Sequence, residues 1–320
     1  MRPPPTPLKQ PLKFGYGTNG FTHHRLADVL VVLADLGYDG VALTLDHNHL
    51  DPYADDLPRR VTDLARQLGR HGLDVTVETG APYFLDPWGK HLPTLMSDGS
   101  ELRIDLLRRA LRIAADLGSP TVHLCSGPAP EGVPEGDAWK RLAAGVGTVL
   151  ETAEKYGVAL AFEPEPYMFV GTVERCLHLA RLVDGHELFG VTLDIGHAHC
   201  VEERPVLDCV RQAAPLLRNV QIEDMRRGIH QHLEFGAGEI DFPPVLAALR
   251  ELGDCGLVSV EIQGGSLDAP DVARRSIEFL RAADQSAVAD QRAAVEQSDA
   301  VGQRSAAGQS AAAEQAAATV

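Results

Sequence analysis

Hydrophobic and polar positions along the chain repeat one arrangement: an amphipathic helical stretch, a glycine at its end, then a short apolar run that stops at a polar residue. It occurs in LADLGYDGVALTLD, LGRHGLDVTVETG, AADLGSPTVHLCSG, AEKYGVALAFEPEP and RELGDCGLVSVEIQGG. Gly37, Gly72, Gly118, Gly157 and Gly253 stand where a helix closes on a left-handed residue, a conformation glycine adopts without a Cβ clash. The runs that follow are rich in Val, Leu and Thr and do not alternate, as expected of strands buried on both faces.

Three more segments, KFGYGTN, FGVTLDIGHAH and RNVQIED, complete a set of eight strands separated by helical patterns. Strands that alternate with helices pair in parallel, because each crossover returns the chain to the same end of the sheet. Eight such units predict an α/β fold of the closed (β/α)8 TIM-barrel class, in one domain over residues 14–283. A doubly wound sheet is the competing arrangement, but no G-x-G-x-x-G follows the first strand. Residues 1–13 form a proline-rich N-terminal extension. From 284 to 320 the chain turns to Ala, Gln, Ser and Glu without an aromatic residue, a composition that predicts a disordered tail.

Composition narrows the partners. With 320 residues and 44% of them hydrophobic, the chain can bury a large core. A net charge of −16 repels nucleic-acid phosphates and anionic membranes, which leaves a small polyhydroxy molecule as the expected partner. Self-association into a homo-oligomer is left open by the sequence. The 5 cysteines are scattered and contain no C-x-x-C pair, the pattern of free thiols in a reducing compartment. No signal-peptide core and no 18-residue apolar run occur, so a cytoplasmic location is expected.

In a parallel barrel the C-terminal strand ends carry the chemistry. Here those ends are Asn19, Asp46, Glu78, Glu163, Asp194, Gln221 and Glu261, most of them acids. Carboxylates that converge on one mouth repel one another unless a positive charge lies between them, and a divalent cation supplies it. Glu163 in LAFEPEP, Asp194 in VTLDIGHAH and Glu261 in VSVEIQGG each end an apolar run, so each rides on a buried strand. A lone strand-end acid often caps the next helix instead; three at matching positions make that explanation weaker.

These residues resemble the xylose isomerase-like TIM barrels, which include sugar isomerases, ketose 3-epimerases and endonuclease IV. The resemblance runs from Phe14 to Ala283. It implies a metal site built from a Glu after the fifth strand, an Asp in D-x-x-H after the sixth, a His after the seventh and a Glu after the eighth. Glu163, Asp194 with His197, and Glu261 match, and HLEFGAGEIDF is similar to the H-x-x-x-G-x-G-x-I-D loop, with His232 in its histidine position. The seventh strand departs from the pattern by placing Gln221 where the metal-binding His is expected. A Gln oxygen ligates hard cations, which favours Mn²⁺ or Mg²⁺ over Co²⁺ or Zn²⁺; the alternative is a histidine, His230 or His232, entering from the loop.

The resemblance implies a divalent-metal-dependent isomerase or epimerase of a sugar, sugar phosphate or cyclitol ketone. In that reading Glu163, Asp194, Gln221 and Glu261 hold the metal, and Glu163 and Glu261 remove and return a proton beside a chelated carbonyl. His197, Glu165, Arg227 and His232 contact the substrate. A dehydratase or lyase would use the same first step, and a non-catalytic ligand-binding barrel would explain the missing His. The endonuclease activity of the superfamily is disfavoured by the negative charge. His123 is expected to be a packed histidine, and Tyr83, Phe84, Trp88 and Lys90 to form a lid over the mouth.

Overall fold

The computed structural model of the protein describes residues 11–289. Eight parallel strands close into a barrel: β1 Lys13–Gly17, β2 Gly40–Thr44, β3 Asp74–Glu78, β4 Thr121–Cys125, β5 Ala159–Glu163, β6 Phe189–Asp194, β7 Leu217–Ile222 and β10 Leu257–Val260. Closure is made by β1 against β10, with Phe14 beside Val258 and Tyr16 beside Val260. All eight segments picked out by the hydrophobic pattern are strands of this one sheet. Their residues are almost wholly buried because helices cover the outer face while side chains fill the interior.

The covering helices are α1 Leu26–Leu36, α2 Leu57–His71, α3 Glu101–Leu117, α4 Glu135–Tyr156, α5 Val173–Leu182, α6 Ile195–Val201, α7 Val206–Ala213, α8 Phe242–Leu252 and a last one over 269–289. Each buries a stripe at three- and four-residue spacing: Leu64 and Leu68 on α2, Leu107 and Leu111 on α3, Val146, Val149 and Leu150 on α4. The core is the layer between this stripe and the outward strand residues. There Phe162 is fully buried and stacks on Phe189 with ring centroids 6.0 Å apart. Phe162→Ala is expected to cost about 3–5 kcal/mol of unfolding free energy, read from the denaturant midpoint. A cost below about 1 kcal/mol would mean that this layer is not close-packed.

Four of the five helix-closing glycines are left-handed, at φ 82, 66, 75 and 66 for Gly37, Gly72, Gly118 and Gly157. Gly253 differs. Its φ is 87 but its ψ is −108, a conformation outside the left-handed helical region.

Three boundaries shift. Pro11 and Leu12 are described, Leu12 is buried, and β1 starts at Lys13; the rest of the proline-rich extension lies outside the described residues. The last helix crosses the expected end of the barrel at 283, because Arg250 of α8 donates to Asp284 and Ala287 is packed inside. Residues 284–289 therefore belong to the barrel, and the tail expected beyond them lies outside the described residues. The polar stretch after β7 is an antiparallel hairpin, β8 Asp224–Arg226 and β9 Ile229–Leu233, with Asp224 facing Leu233. Among the described residues no helix is long and apolar enough to cross a membrane.

Candidate active site

At the C-terminal end of the barrel lies a cavity of about 180 Å³ whose walls include His123, Glu163, Glu165, His197, His232 and Glu261. Each acid is delivered by the end of a strand. Glu163 is the last residue of β5; its Oε2 lies 2.6 Å from His123 Nε2 on β4, and its Oε1 lies 3.1 Å from His197 Nδ1. Asp194 ends β6 and caps α6 by accepting the His197 N–H, which leaves its Oδ2 buried and unpartnered. Glu261, just past β10, is gripped from two sides: Asn19 Nδ2 and Gln263 Nε2 both donate to its Oε1, at 2.9 and 2.8 Å.

The β8–β9 hairpin folds over this mouth. It owes its shape to Asp224, whose carboxylate accepts the backbone N–H groups of Gly236, Gly238 and Ile240 and so organises the glycine-containing segment after β9. The hairpin carries His230 and His232 inward. His230 Nε2 is 2.9 Å from His197 Nε2, and His232 Nδ1 donates to the Glu261 carbonyl. Two carboxylate–imidazole clusters result, Glu163–Asp194–His197 and Glu223–His232–Glu261, each with ligand atoms within 4.8 Å of one another.

The charge distribution follows from burial and pairing. Burial penalises the Glu163 carboxylate, but His123 and His197 outweigh it and hold the group well below the usual carboxylate range. Burial would neutralise His123 and His197 too; Glu163 and its neighbouring carboxylates raise His123 to about 9, and Asp194 with Glu163 raises His197 to about 10. Burial and then the Glu163 charge push Glu165 up to about 7. Burial pushes Glu78 up to about 8 against the pull of His123, and pushes Glu223 far above its ordinary range with Asp194 and Glu261 beside it. His230 is driven down to about 3 by burial and by His197.

Above neutral pH the raised groups decide the sign, because the lowered His230 acts the other way only up to about the unfolded value of 6.5. The stability contributed by His123 and His197 is complete below the unfolded value of about 6.5 and is lost as the pH rises toward about 9 and about 10. Glu78 acts in the same direction, since the folded protein keeps its proton up to about 8 where the unfolded chain has already released it. The metal-free protein is therefore expected to melt at progressively lower temperature from about pH 7 to about pH 9. Calorimetric scans in chelator test this, and a melting point that climbs over that range would rule out a protonated His123 paired with Glu163.

The structure gathers most of the residues expected from sequence and separates others. Glu163, Glu165, His197, His232 and Glu261 line the cavity, and Asp194 lies behind His197. Gln221 is buried within the barrel; its amide donates 3.0 Å to Glu78 Oε1 across the interior, and its own oxygen has no partner. Arg227 is on the hairpin turn, where its guanidinium donates to the Glu202 carbonyl and its N–H to Glu239, and it is absent from the cavity wall. Asp46 accepts the Asn48 and His49 N–H groups and serves to shape the β2–α2 loop. His123 is packed, as expected, but packed against a catalytic-face carboxylate. Of the aromatic loop, Lys90 reaches the cavity, while Trp88 is 93% exposed. Sequence reasoning missed Glu223. It is fully buried, neither of its oxygens has a hydrogen-bond partner, Oε1 is 3.7 Å from His232 Nδ1, and it sits beside Asp194 and Glu261.

A closed (β/α)8 barrel with a carboxylate- and imidazole-lined cavity at its C-terminal mouth is the class that fold and site define. The chain belongs to the xylose isomerase-like TIM barrel family, whose pattern matches residues 30–283. It is 25% identical over 280 residues to fructoselysine 3-epimerase of Escherichia coli O157:H7, covering 85% of this chain and 98% of that protein. It is 22% identical over 240 residues to L-ribulose-5-phosphate 3-epimerase UlaE of Escherichia coli SMS-3-5, covering 73% and 81%. Among solved structures, an L-ribulose 3-epimerase superposes with a TM-score of 0.72 at 22% identity, over 88% of this chain and 98% of the other.

Proposed function

We propose that this protein is a divalent-metal-dependent epimerase of a sugar or sugar phosphate, acting by proton transfer at a carbon beside a carbonyl. The observation that carries the reading is the pair Glu163 and Glu261, on strands β5 and β10, both facing one small cavity. Two positioned carboxylates on different walls can take a proton from one face of a carbon and return one to the other. The relatives named as sugar 3-epimerases support the same reaction class.

The residues present fit a metal ion. Asp194 Oδ2 is buried without a hydrogen-bond partner, 3.8 Å from His197 Nδ1, and Glu163 Oε1 faces the same ring nitrogen at 3.1 Å, so one imidazole serves two buried carboxylates and a divalent ion would neutralise them more fully. Glu163, Asp194 and Glu261 would hold the ion, joined by an oxygen from the seventh strand. An oxygen-rich set of this kind suits Mn²⁺ or Mg²⁺ better than Zn²⁺ or Co²⁺. A cation held there would supply Lewis acidity, which makes a carbon-bound proton next to a carbonyl more acidic.

The protein's own groups do the rest. His123 grips Glu163 through the 2.6 Å contact, so its carboxylate is fixed and ionised. Asn19 and Gln263 hold one oxygen of Glu261 and leave the other for the ion and the reacting carbon. His197, His232 and Glu165 present donors and acceptors to substrate hydroxyls, and Arg227 would have to leave the Glu202 carbonyl to join them.

Chromatographic separation of products after incubating the Mn²⁺-loaded protein with a panel of ketoses and ketose phosphates tests the reaction class. A new sugar of unchanged mass is expected. Loss of water from the substrate would point to elimination, and no conversion of any panel member would remove the proposal.

A further inference from the structure

We propose that Glu223 supplies the seventh-strand oxygen to the metal ion, so that a carboxylate stands where an imidazole was expected. This rests on the reading of the site as a divalent-metal centre. Glu223 follows β7 directly, two residues beyond Gln221, so the alternation of an extended chain turns both side chains to the barrel interior, with Glu223 nearer the mouth. It is 0% exposed, neither carboxylate oxygen has a hydrogen-bond partner, and the basic group beside it, His232, has its Nδ1 3.7 Å from Oε1 but donates instead to the Glu261 carbonyl. A buried carboxylate is normally paired or coordinates a metal. The other half of its cluster is Glu261 and His232, with ligand atoms within 4.8 Å.

The backbone opposite makes room for it. Gly196, in the first turn of α6 next to Asp194, lies so close to Glu223 Oε1 that a Cβ at that position would overlap the carboxylate. Gln221 has the weaker claim. Its amide nitrogen is committed to Glu78 on the far side of the barrel, and it offers a single neutral oxygen. A donor set of Glu163, Asp194, Glu223 and Glu261 is all carboxylate, which selects hard cations and disfavours Zn²⁺.

Calorimetric titration of the full-length protein with MnCl₂ and ZnCl₂ tests the assignment, with melting curves of each metal-free variant alongside. Glu223→Gln keeps the shape and removes the charge; it is expected to lose at least about tenfold in Mn²⁺ affinity, while Gln221→Leu stays within about threefold. Metal-free Glu223→Gln should melt no lower than the natural protein, because an amide of the same shape fills the same space; a purely structural role for the Glu223 carboxyl would lower it. Unchanged Mn²⁺ affinity in Glu223→Gln, or a loss confined to Gln221→Leu, overturns the assignment while leaving the metal centre intact. If the natural protein binds neither metal, the metal reading itself fails and takes this one with it. Should Glu223→Gln not fold, Glu223→His decides: a shift of preference toward Zn²⁺ supports ligation, and an unchanged Mn²⁺/Zn²⁺ ratio refutes it.

Discussion

Glu163→Gln and Glu261→Gln are each expected to lower turnover by about 10²- to 10⁴-fold, the range for removing a positioned acid or base. Both variants should keep the fold. Glu163 and Glu261 are buried at the barrel mouth among polar neighbours, so an amide of the same shape replaces them without opening a cavity. Their surroundings separate the two. Glu163→Gln still offers an oxygen to His123, though the charge that keeps the imidazole protonated is gone, and His123 should then titrate below its present value of about 9. Glu261→Gln leaves the Asn19 and Gln263 amides facing another amide, and its oxygen can still accept from them. NMR of the His123 ring and initial rates on the same samples report both effects. Turnover near that of the natural protein in either variant would strip that residue of its acid–base role.

If the proposed metal centre forms, removing the ion has the second large effect. Chelation should abolish turnover and lower the melting temperature. A site occupied at a hundredfold excess of free Mn²⁺ over Kd adds about 2.7 kcal/mol of stability, which disappears with the ion. Without the ion, Glu163 and Asp194 are left to the His123 and His197 imidazoles, and Glu223 keeps its proton beside Asp194 and Glu261. Differential scanning calorimetry with graded MnCl₂ should show the midpoint rising with metal concentration and the pH dependence between about 7 and about 9 flattening as the ion replaces protons. A midpoint indifferent to Mn²⁺ at every pH would show that the carboxylate cluster does not take it up.

Much of the barrel could be read from the sequence because each strand is a compact apolar run bounded by a glycine and a polar residue, and such runs have few other uses. The acids at their ends were legible for the same reason: Glu163, Asp194 and Glu261 each follow a run that fixes where the strand stops. The buried, inward place of Glu223 was legible in principle. In NVQIED the alternate residues Asn219, Gln221 and Glu223 share one face, yet Gln221 occupied the position where a ligand was expected and the next inward residue was passed over. Asp46 shows the opposite difficulty, since an acid that caps a loop and an acid that binds a metal look alike until their hydrogen bonds are seen. Arg227 is a cation close to the mouth in sequence, but the tight hairpin turn directs it to the Glu202 carbonyl. At residue 284 the fall in apolar content hid a helix that continues because Asp284 pairs with Arg250 and the small Ala287 still fits the core.

Solvent-deuterium exchange tests the central claim most directly. The protein loaded with Mn²⁺, in D₂O, is mixed with each ketose and ketose phosphate and followed by proton NMR. The account predicts that one carbon next to the carbonyl of the accepted sugar loses its proton signal, with no loss of oxygen, and that Glu163→Gln and Glu261→Gln suppress the exchange. A metal-loaded protein that binds a sugar in its cavity and leaves every carbon-bound proton in place would contradict it.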